Sequence, residues 1–422
     1  MRRLYSAAWW LALPLVLARL WWRGRRESGY RQHIGERLAL LPRRANSAPL
    51  VWLHAVSVGE TRAAQPLIDA LLMQYPSHHL LLTHMTPTGR AAGAALYARH
   101  GSRLQQAYLP YDIPSMLTRF LTRYSPQLCL LMETEIWPNL MAVCAQRQLP
   151  VVLINARLSA RSLKKAHRLG TLMTTAAQQL YRVGAQTQAD AERIRSLGVR
   201  HVEITGSIKF DVTPEPHALV FGQRLRQQIG GRPVLLFASS REGEEAMMID
   251  ALAANNLPPS TLLIIVPRHP QRFDAVAALV TARGLSLQRR TSLADARVEA
   301  DVLLGDSMGE MFGYCAASDV VAMGGSLLPL GGQNPIEACA VGKPVLFGPH
   351  TFNFDTVSEE AIVAGAALRV ADIDAMLRDA SMLLRDDALR LRMGASAARF
   401  AQQHRGATER TLAMLRPLIA IE

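Results

Sequence analysis

Apolar runs of four or five residues recur along the first half of the chain, each followed by a polar loop and then an apolar stripe spaced by three and four. Leu50-Val51-Trp52-Leu53-His54, Leu80-Leu81-Leu82-Thr83, Leu128 to Met132 and Val151 to Ile154 are such runs. Their apolar residues are continuous rather than alternating, as in strands buried on both faces of a parallel sheet. The stripe Ala64, Leu67, Ile68, Leu71 and Leu72 predicts a helix from about Glu60. An alanine-rich helix follows Thr86-Pro87-Thr88-Gly89, and residues 115–123 read as a third. Strand, loop and helix in repetition predict a doubly wound sheet. A second series begins at Val234 to Ala238 and runs through Leu262 to Val266, Asp301 to Leu304, Val320 to Met323 and Val345 to Phe347. Between the two series, around residues 205–232, the pattern breaks at prolines 214 and 216 and at Gly230-Gly231. The expected fold class is α/β: two Rossmann-like doubly wound domains facing a cleft, with an N-terminal membrane-associated helix. The expected divisions are an anchor over 1–25, an acceptor domain over 26–211, a crossing over 212–232 and a nucleotide-sugar domain over 233–390. Closing helices over 391–422 are expected to pack back on the first domain.

Length and composition agree with two globular cores: 422 residues, 49% hydrophobic and 19% charged. The four cysteines, Cys129, Cys144, Cys315 and Cys339, form no CxxC pair and have no histidine at zinc spacing. They read as reduced core thiols of a cytosolic protein.

Charge changes the picture at the N-terminus. Residues 1–44 hold ten arginines against Glu27 and Glu36, so +8 of the net +13 lies there and the other 378 residues carry +5. A nucleic-acid groove would spread its basic residues and interleave them with aromatics, so no nucleic-acid partner is expected. Here they flank Ala7 to Trp22, AAWWLALPLVLARLWW, with Arg2-Arg3 before it and Arg23, Arg25 and Arg26 after it. Paired tryptophans at each end and flanking arginines suit a membrane interface. The segment is short for a span and holds Pro14 and Arg19, so spanning and surface-lying readings both stand. No small-residue cleavage site marks a removed signal.

Candidate chemistry lies at the strand ends, where open α/β sheets place ligands. Glu60 is three residues after Ser57, which makes a capping box, yet its strand-to-helix loop also suits a general base. Glu133 and Glu135 end a strand beside Ile136-Trp137-Pro138, and Lys209 sits where the pattern begins to break after residue 205, placed to offset developing negative charge. Pro267-Arg268-His269 ends a strand of the second series, where a phosphate or carboxylate would suit Arg268. His54 reads as a satisfied core histidine. Asp372-x-Asp374 reads as a helix cap rather than a metal motif. Gly324 to Phe354, GGSLLPLGGQNPIEACAVGKPVLFGPHTFNF, places glycines before a short helix with Asn334 as cap, Pro335 at its first position and Glu337 three residues after the cap. Such a turn offers free N–H groups and the positive end of a helix dipole to a phosphate, or is an ordinary capped helix.

Together these motifs resemble one family, the Kdo (3-deoxy-D-manno-octulosonic acid) transferases, inverting glycosyltransferases of the two-domain GT-B fold. The match runs in order through HAVSVGE (54–60), TPTGR (86–90), METEIWPN (132–139), NARLSARS (155–162), GSIKFD (206–211), VPRHPQRF (266–273), GDSMGEM (305–311) and the stretch 324–354. The resemblance implies transfer of Kdo from CMP-Kdo to the lipid A precursor lipid IVA, in lipopolysaccharide synthesis, on the cytoplasmic side of the inner membrane. It implies Glu60 as general base, and Glu133 and Lys209 as stabilisers of the transition state. CMP binding falls to Pro267, Arg268, Met308, Gly309, Glu310, Asn334, Pro335, Ile336 and Glu337, and neither a metal nor another cofactor is expected. Gln333 and Arg241 depart from histidines common in the family. Two rivals remain from sequence: another GT-B transferase using a UDP-sugar and a lipid acceptor, and a non-catalytic membrane protein that binds a nucleotide sugar.

Overall fold

The computed structural model describes residues 1–25, 27–42, 44, 47–211, 213–214, 216–252 and 254–419. The chain divides into two compact units. The first holds residues 1–211 and 405–422, and the second residues 212–404.

In the first unit, β1 (Leu50–His54), β2 (His79–His84), β3 (Leu104–Tyr108), β4 (Leu128–Met132), β5 (Val151–Ala156), β6 (Arg182–Ala185) and β7 (Val202–Ile204) form one parallel sheet in the order 3-2-1-4-5-6-7. β1, β4 and β5 are buried at every position, which accounts for their unbroken apolar runs. The order reverses between β1 and β4, so the loops after these two strands open a crevice at the carboxyl edge. Cores lie on both faces of the sheet. One packs Trp52, Leu131 and Phe120; the other packs Leu53, Leu67, Ile68 and Leu130.

In the second unit, β8 (Val234–Ser240), β9 (Leu262–Pro267), β10 (Leu287–Arg289), β11 (Val302–Leu304), β12 (Val320–Met323), β13 (Val345–Phe347) and β14 (Ala367–Arg369) form a parallel sheet in the order 10-11-9-8-12-13-14. Its switch point falls between β8 and β12.

The expected divisions change in two places. Residues 216–229 of the presumed crossing are a helix of the second unit, Pro216–Ile229, packed through Ala218, Gly222 and Leu225; Val212 and Glu215 lie outside the described residues. Of the closing helices, Asp387–His404 belongs to the second unit and only Ala407–Leu415 packs on the first. The break is at Gly406, whose φ of +80° ends one helix and starts the next. Both oxygens of Asp211, the last residue before the chain leaves the first unit, accept from the returning segment: Gly406 N at 2.9 Å and Thr408 N at 2.6 Å. The helix then adds Ala407, Met414 and Leu415 to the core around Leu67 and Leu71.

The N-terminal segment is a helix, Arg2–Arg23, and is the one described helix long and apolar enough to cross a membrane. It rests on the first unit through Trp9, Leu13, Val16, Leu17 and Leu20, with Ser6 Oγ donating to Asn139 Oδ1 at 2.9 Å and Trp9 against Tyr111. All four cysteines are buried free thiols.

Candidate active site

The loop after β1 and the loop after β4 flank the switch point of the first sheet, and they carry Glu60 and Glu133. Ser57 caps the helix Val58–Ala63, its Oγ accepting from Glu60 N at 3.4 Å. The Glu60 carboxylate turns back on the loop, where Oε2 accepts from Val56 N at 2.5 Å. Among the described bonds only the Ser57 half of the capping box is made, because the carboxylate closes on Val56 N rather than on Ser57 N. Burial first, then the negative charge of Glu133, pushes the Glu60 carboxyl up to about 7; the Val56 bond and Lys209 oppose this. A carboxylate at that value takes and releases protons near neutrality.

Glu133 sits at φ +58°, a left-handed conformation unusual for a side chain larger than glycine. Its Oε1 pairs with Lys209 Nζ at 2.6 Å. Lys209 lies on a single tight turn, Ile208–Phe210. Glu135 accepts from Trp137 Nε1 at 2.7 Å and is raised by burial. The first unit therefore brings Glu60, Glu133, Glu135 and Lys209 into one electrostatic cluster. His54 is fully buried with Nδ1 on Thr83 Oγ1 at 2.8 Å, and burial pushes it down to about 3; it is the neutral core histidine read from sequence, but only half satisfied, since its Nε2 has no partner among the described residues.

Asn155 directly follows the apolar run Val151 to Ile154, and sequence reasoning gave it no role beyond opening the NARLSARS match. It is buried, has φ +51°, and its side chain holds the turn that carries Lys209. Its Oδ1 accepts from Ile208 N at 3.2 Å, next to Lys209, while the preceding Ile154 O accepts from Glu133 N at 3.0 Å. The available signal was residue type, since Asn is the side chain that most readily takes the left-handed region. Asn155→Gly keeps that backbone and removes only the amide. It is expected to fold with a melting temperature within a few degrees of the parent, yet lose about tenfold in turnover as Lys209 loosens. Equal turnover would remove Asn155 from the arrangement.

In the second unit, β8 and β12 flank the switch point, and the glycine-rich loop follows β12. Its N–H groups are not free for a phosphate. Gly325 N donates to Glu244 Oε2 at 2.6 Å, and Leu327 N and Leu328 N donate to Glu244 Oε1 at 3.0 and 3.4 Å. The Glu244 carboxylate, fully buried, also accepts from Arg241 N at 3.1 Å. The turn is thus an anion cradle filled by the chain's own acid, which corrects the first half of the phosphate expectation. Sequence reading passed over this acid within Arg241-Glu242-Gly243-Glu244-Glu245.

The helix after the glycines is Ile336–Ala340, short as expected and starting one residue later. Pro335 precedes it and Asn334 Oδ1 accepts from Ile336 N at 3.1 Å. Among the described bonds Glu337 does not close a capping box onto Asn334. Its neighbour in charge is Arg268, at the end of β9, which partly offsets the burial that pushes Glu337 up to about 7. Arg268 N donates to Ser240 O at 2.9 Å, which ties the end of β9 to β8. Pro267 is the buried last residue of β9. On the next loop Met308 is exposed, Gly309 has φ +83°, and Glu310 pairs with Arg290 at 2.8 Å and accepts from Ser307. Glu310 is therefore held by protein partners. Asp372 caps the helix Ile373–Arg385, accepting from Ala375 N at 2.8 Å, as its sequence context implied.

Glu337 supplies a stability test. Its folded value of about 7 exceeds its ordinary 4.5, so the folded state holds the proton more tightly than the unfolded chain. Stability is thus lost as pH rises from about 4.5 to about 7, by about 3 kcal/mol in all. Glu337→Gln is expected to melt higher than the parent at pH 8 and at the same temperature at pH 4. Parallel melting curves at both pH values would show that Glu337 ionises freely.

A family model described as 3-deoxy-D-manno-octulosonic-acid transferase matches residues 32–212. The chain is 46% identical to the 3-deoxy-D-manno-octulosonic acid transferase of Bordetella pertussis, over 97% of this chain and 98% of that one. It is 35% identical to the Haemophilus influenzae protein of the same name, over 99% of each. Among solved structures, a UDP-GlcNAc 2-epimerase from Neisseria meningitidis superposes with a TM-score of 0.57 at 15% identity. The match covers 87% of this chain and 100% of that one, and shares the fold alone.

Proposed function

The chain belongs to the 3-deoxy-D-manno-octulosonic acid (Kdo) transferase family and is a glycosyltransferase; from that premise we propose that it moves Kdo from CMP-Kdo to the lipid A precursor lipid IVA. The anomeric carbon inverts and CMP is released. Glu60 takes the proton from the acceptor hydroxyl as that oxygen attacks, and its carboxyl, held near 7, matches the work of a general base. The observation that carries the reading is geometric: Glu60 stands on the loop after β1, beside the Glu133–Lys209 pair on the neighbouring strand end. Lys209 and Glu133, paired at 2.6 Å, offset the charge that develops on the reacting groups.

The donor nucleotide is assigned to the second unit. Arg268 and Glu337 take its polar groups, and Pro267, Met308, Gly309, Glu310, Asn334, Pro335 and Ile336 shape the surroundings. Glu244 occupies the first glycine turn and Asn334 Oδ1 takes the Ile336 N–H, so the phosphate falls to the Arg268 side chain. The reaction is read as metal-free, with fixed protein donors in place of a cation; a chelator is expected to leave turnover unchanged. The N-terminal helix would hold the enzyme at the cytoplasmic side of the inner membrane, beside its acylated acceptor. A transfer assay offering labelled CMP-Kdo and labelled UDP-sugars side by side tests the donor. Label from CMP-Kdo alone is expected, and label from a UDP-sugar alone would overturn the reading.

A further inference from the structure

A second basic surface, separate from the N-terminal arginines, lies on the helix Ala160–Arg168. Arg161, Lys164, Lys165 and Arg168 are exposed, and none has an ion-pair partner among the described residues. No Asp or Glu occurs between Glu135 and Asp190, a stretch with seven lysines and arginines. Nothing in the catalytic reading uses this charge. Leaving it unbalanced keeps like charges side by side on one helix, an unfavourable arrangement unless a partner neutralises them.

Position points to the partner. Leu163 and Ala166 anchor this helix on the same core cluster that receives Trp9, Leu13 and Leu17 of the N-terminal helix. The N-terminal helix touches Pro138–Gln146, which touches Thr171–Gln178, which touches Ala160–Arg168. All four therefore lie in one layer on one face of the first sheet, and neighbours in such a layer sit roughly 10 Å apart. The N-terminal helix gives its inner face to the protein from Ser6 to Leu20, so lipid can reach only its outer face. There Leu4, Leu11 and Leu15 stand exposed. A helix held in this way lies along a bilayer rather than across it. No Phe, Tyr or Trp occurs from Pro138 to Leu180, so the basic helix lacks the large aromatic platforms on which single-strand binders stack bases.

We propose that Ala160–Arg168 is a second membrane contact, which binds anionic lipid headgroups when the N-terminal helix lies in the bilayer surface. The proposal rests on the membrane-surface reading given above. Each Lys or Arg at an anionic surface is worth about fivefold in partitioning, so removing three should cost about a hundredfold.

Flotation of the full-length protein with vesicles of phosphatidylcholine alone, or with about a third phosphatidylglycerol, tests it. The parent is expected to bind neutral vesicles, and anionic ones more tightly in a salt-sensitive way. Lys164→Ala/Lys165→Ala/Arg168→Ala should keep neutral binding and cut the anionic gain about a hundredfold, leaving the part due to the N-terminal arginines, while Lys164→Arg/Lys165→Arg should retain the full gain. Lys164→Gln/Lys165→Gln, with an unchanged melting curve, separates charge loss from misfolding. An anionic gain undiminished by the triple substitution overturns the proposal. So does RNA binding that depends on the same residues and outcompetes the vesicles. A parent that binds both vesicle types alike sinks this proposal only, and one that binds neither sinks the membrane reading with it.

Discussion

Glu60→Gln is expected to lower kcat for sugar transfer by about three orders of magnitude while the Kd for CMP-Kdo changes by less than about twofold. The amide keeps the shape that accepts from Val56 N, and so keeps the loop. It removes the only step for which a free carboxylate is needed. The parent's pH profile should show the same group: kcat/KM rising with pH, with a midpoint near 7, and level above it, because the base works ionised. In the glutamine variant the residual rate should lose that limb. Stopped single-turnover assays and calorimetric titration of the nucleotide sugar separate the two quantities. A parallel loss of donor affinity would make Glu60 a binding group.

Lys209→Ala is expected to be nearly as damaging, by about two orders of magnitude in kcat, for a different reason. Lys209 partners Glu133 at 2.6 Å and is the cation that lowers the proton affinity of Glu60. Without it Glu133 stands unpaired beside Glu60, and repulsion holds the Glu60 proton more strongly. The rising limb of the profile should therefore move above pH 7, and part of the lost rate should return at pH 9. Combining the change with Glu133→Gln should move the limb back without restoring the maximal rate. A loss of rate with an unmoved limb would separate Lys209 from the titration of Glu60.

How much of this was legible in the sequence differs from feature to feature. Strands buried on both faces announced themselves as unbroken apolar runs, and β1, β4 and β5 carry no polar residue facing solvent. Glu60 and Glu133 could be placed at strand ends, but their adjacency depends on β1 pairing with β4, across more than seventy residues of intervening chain. Asn155 and Glu244 were missed because their work is done on backbone groups distant in sequence, Ile208 N and Gly325 N. No local spacing records such a partner. The glycine-rich turn misled for the same reason: its N–H groups are real, and the anion they hold is Glu244. The helix Pro216–Ile229 was hidden behind Pro214 and Pro216, which read as a linker although a proline opens a helix as readily as it ends one.

The clasp of Asp211 on Gly406 and Thr408 makes the first unit discontinuous in the gene. As the chain leaves the ribosome, Leu67, Ile68, Leu71 and Leu72 emerge early, but the helix Ala407–Leu415 that covers them comes only after the 193 residues 212–404. The half of the protein made first is thus the half completed last, with an open apolar face throughout synthesis. A stop codon anywhere in the second unit would spoil the first as well, because a fragment ending at Asp211 lacks part of its own core.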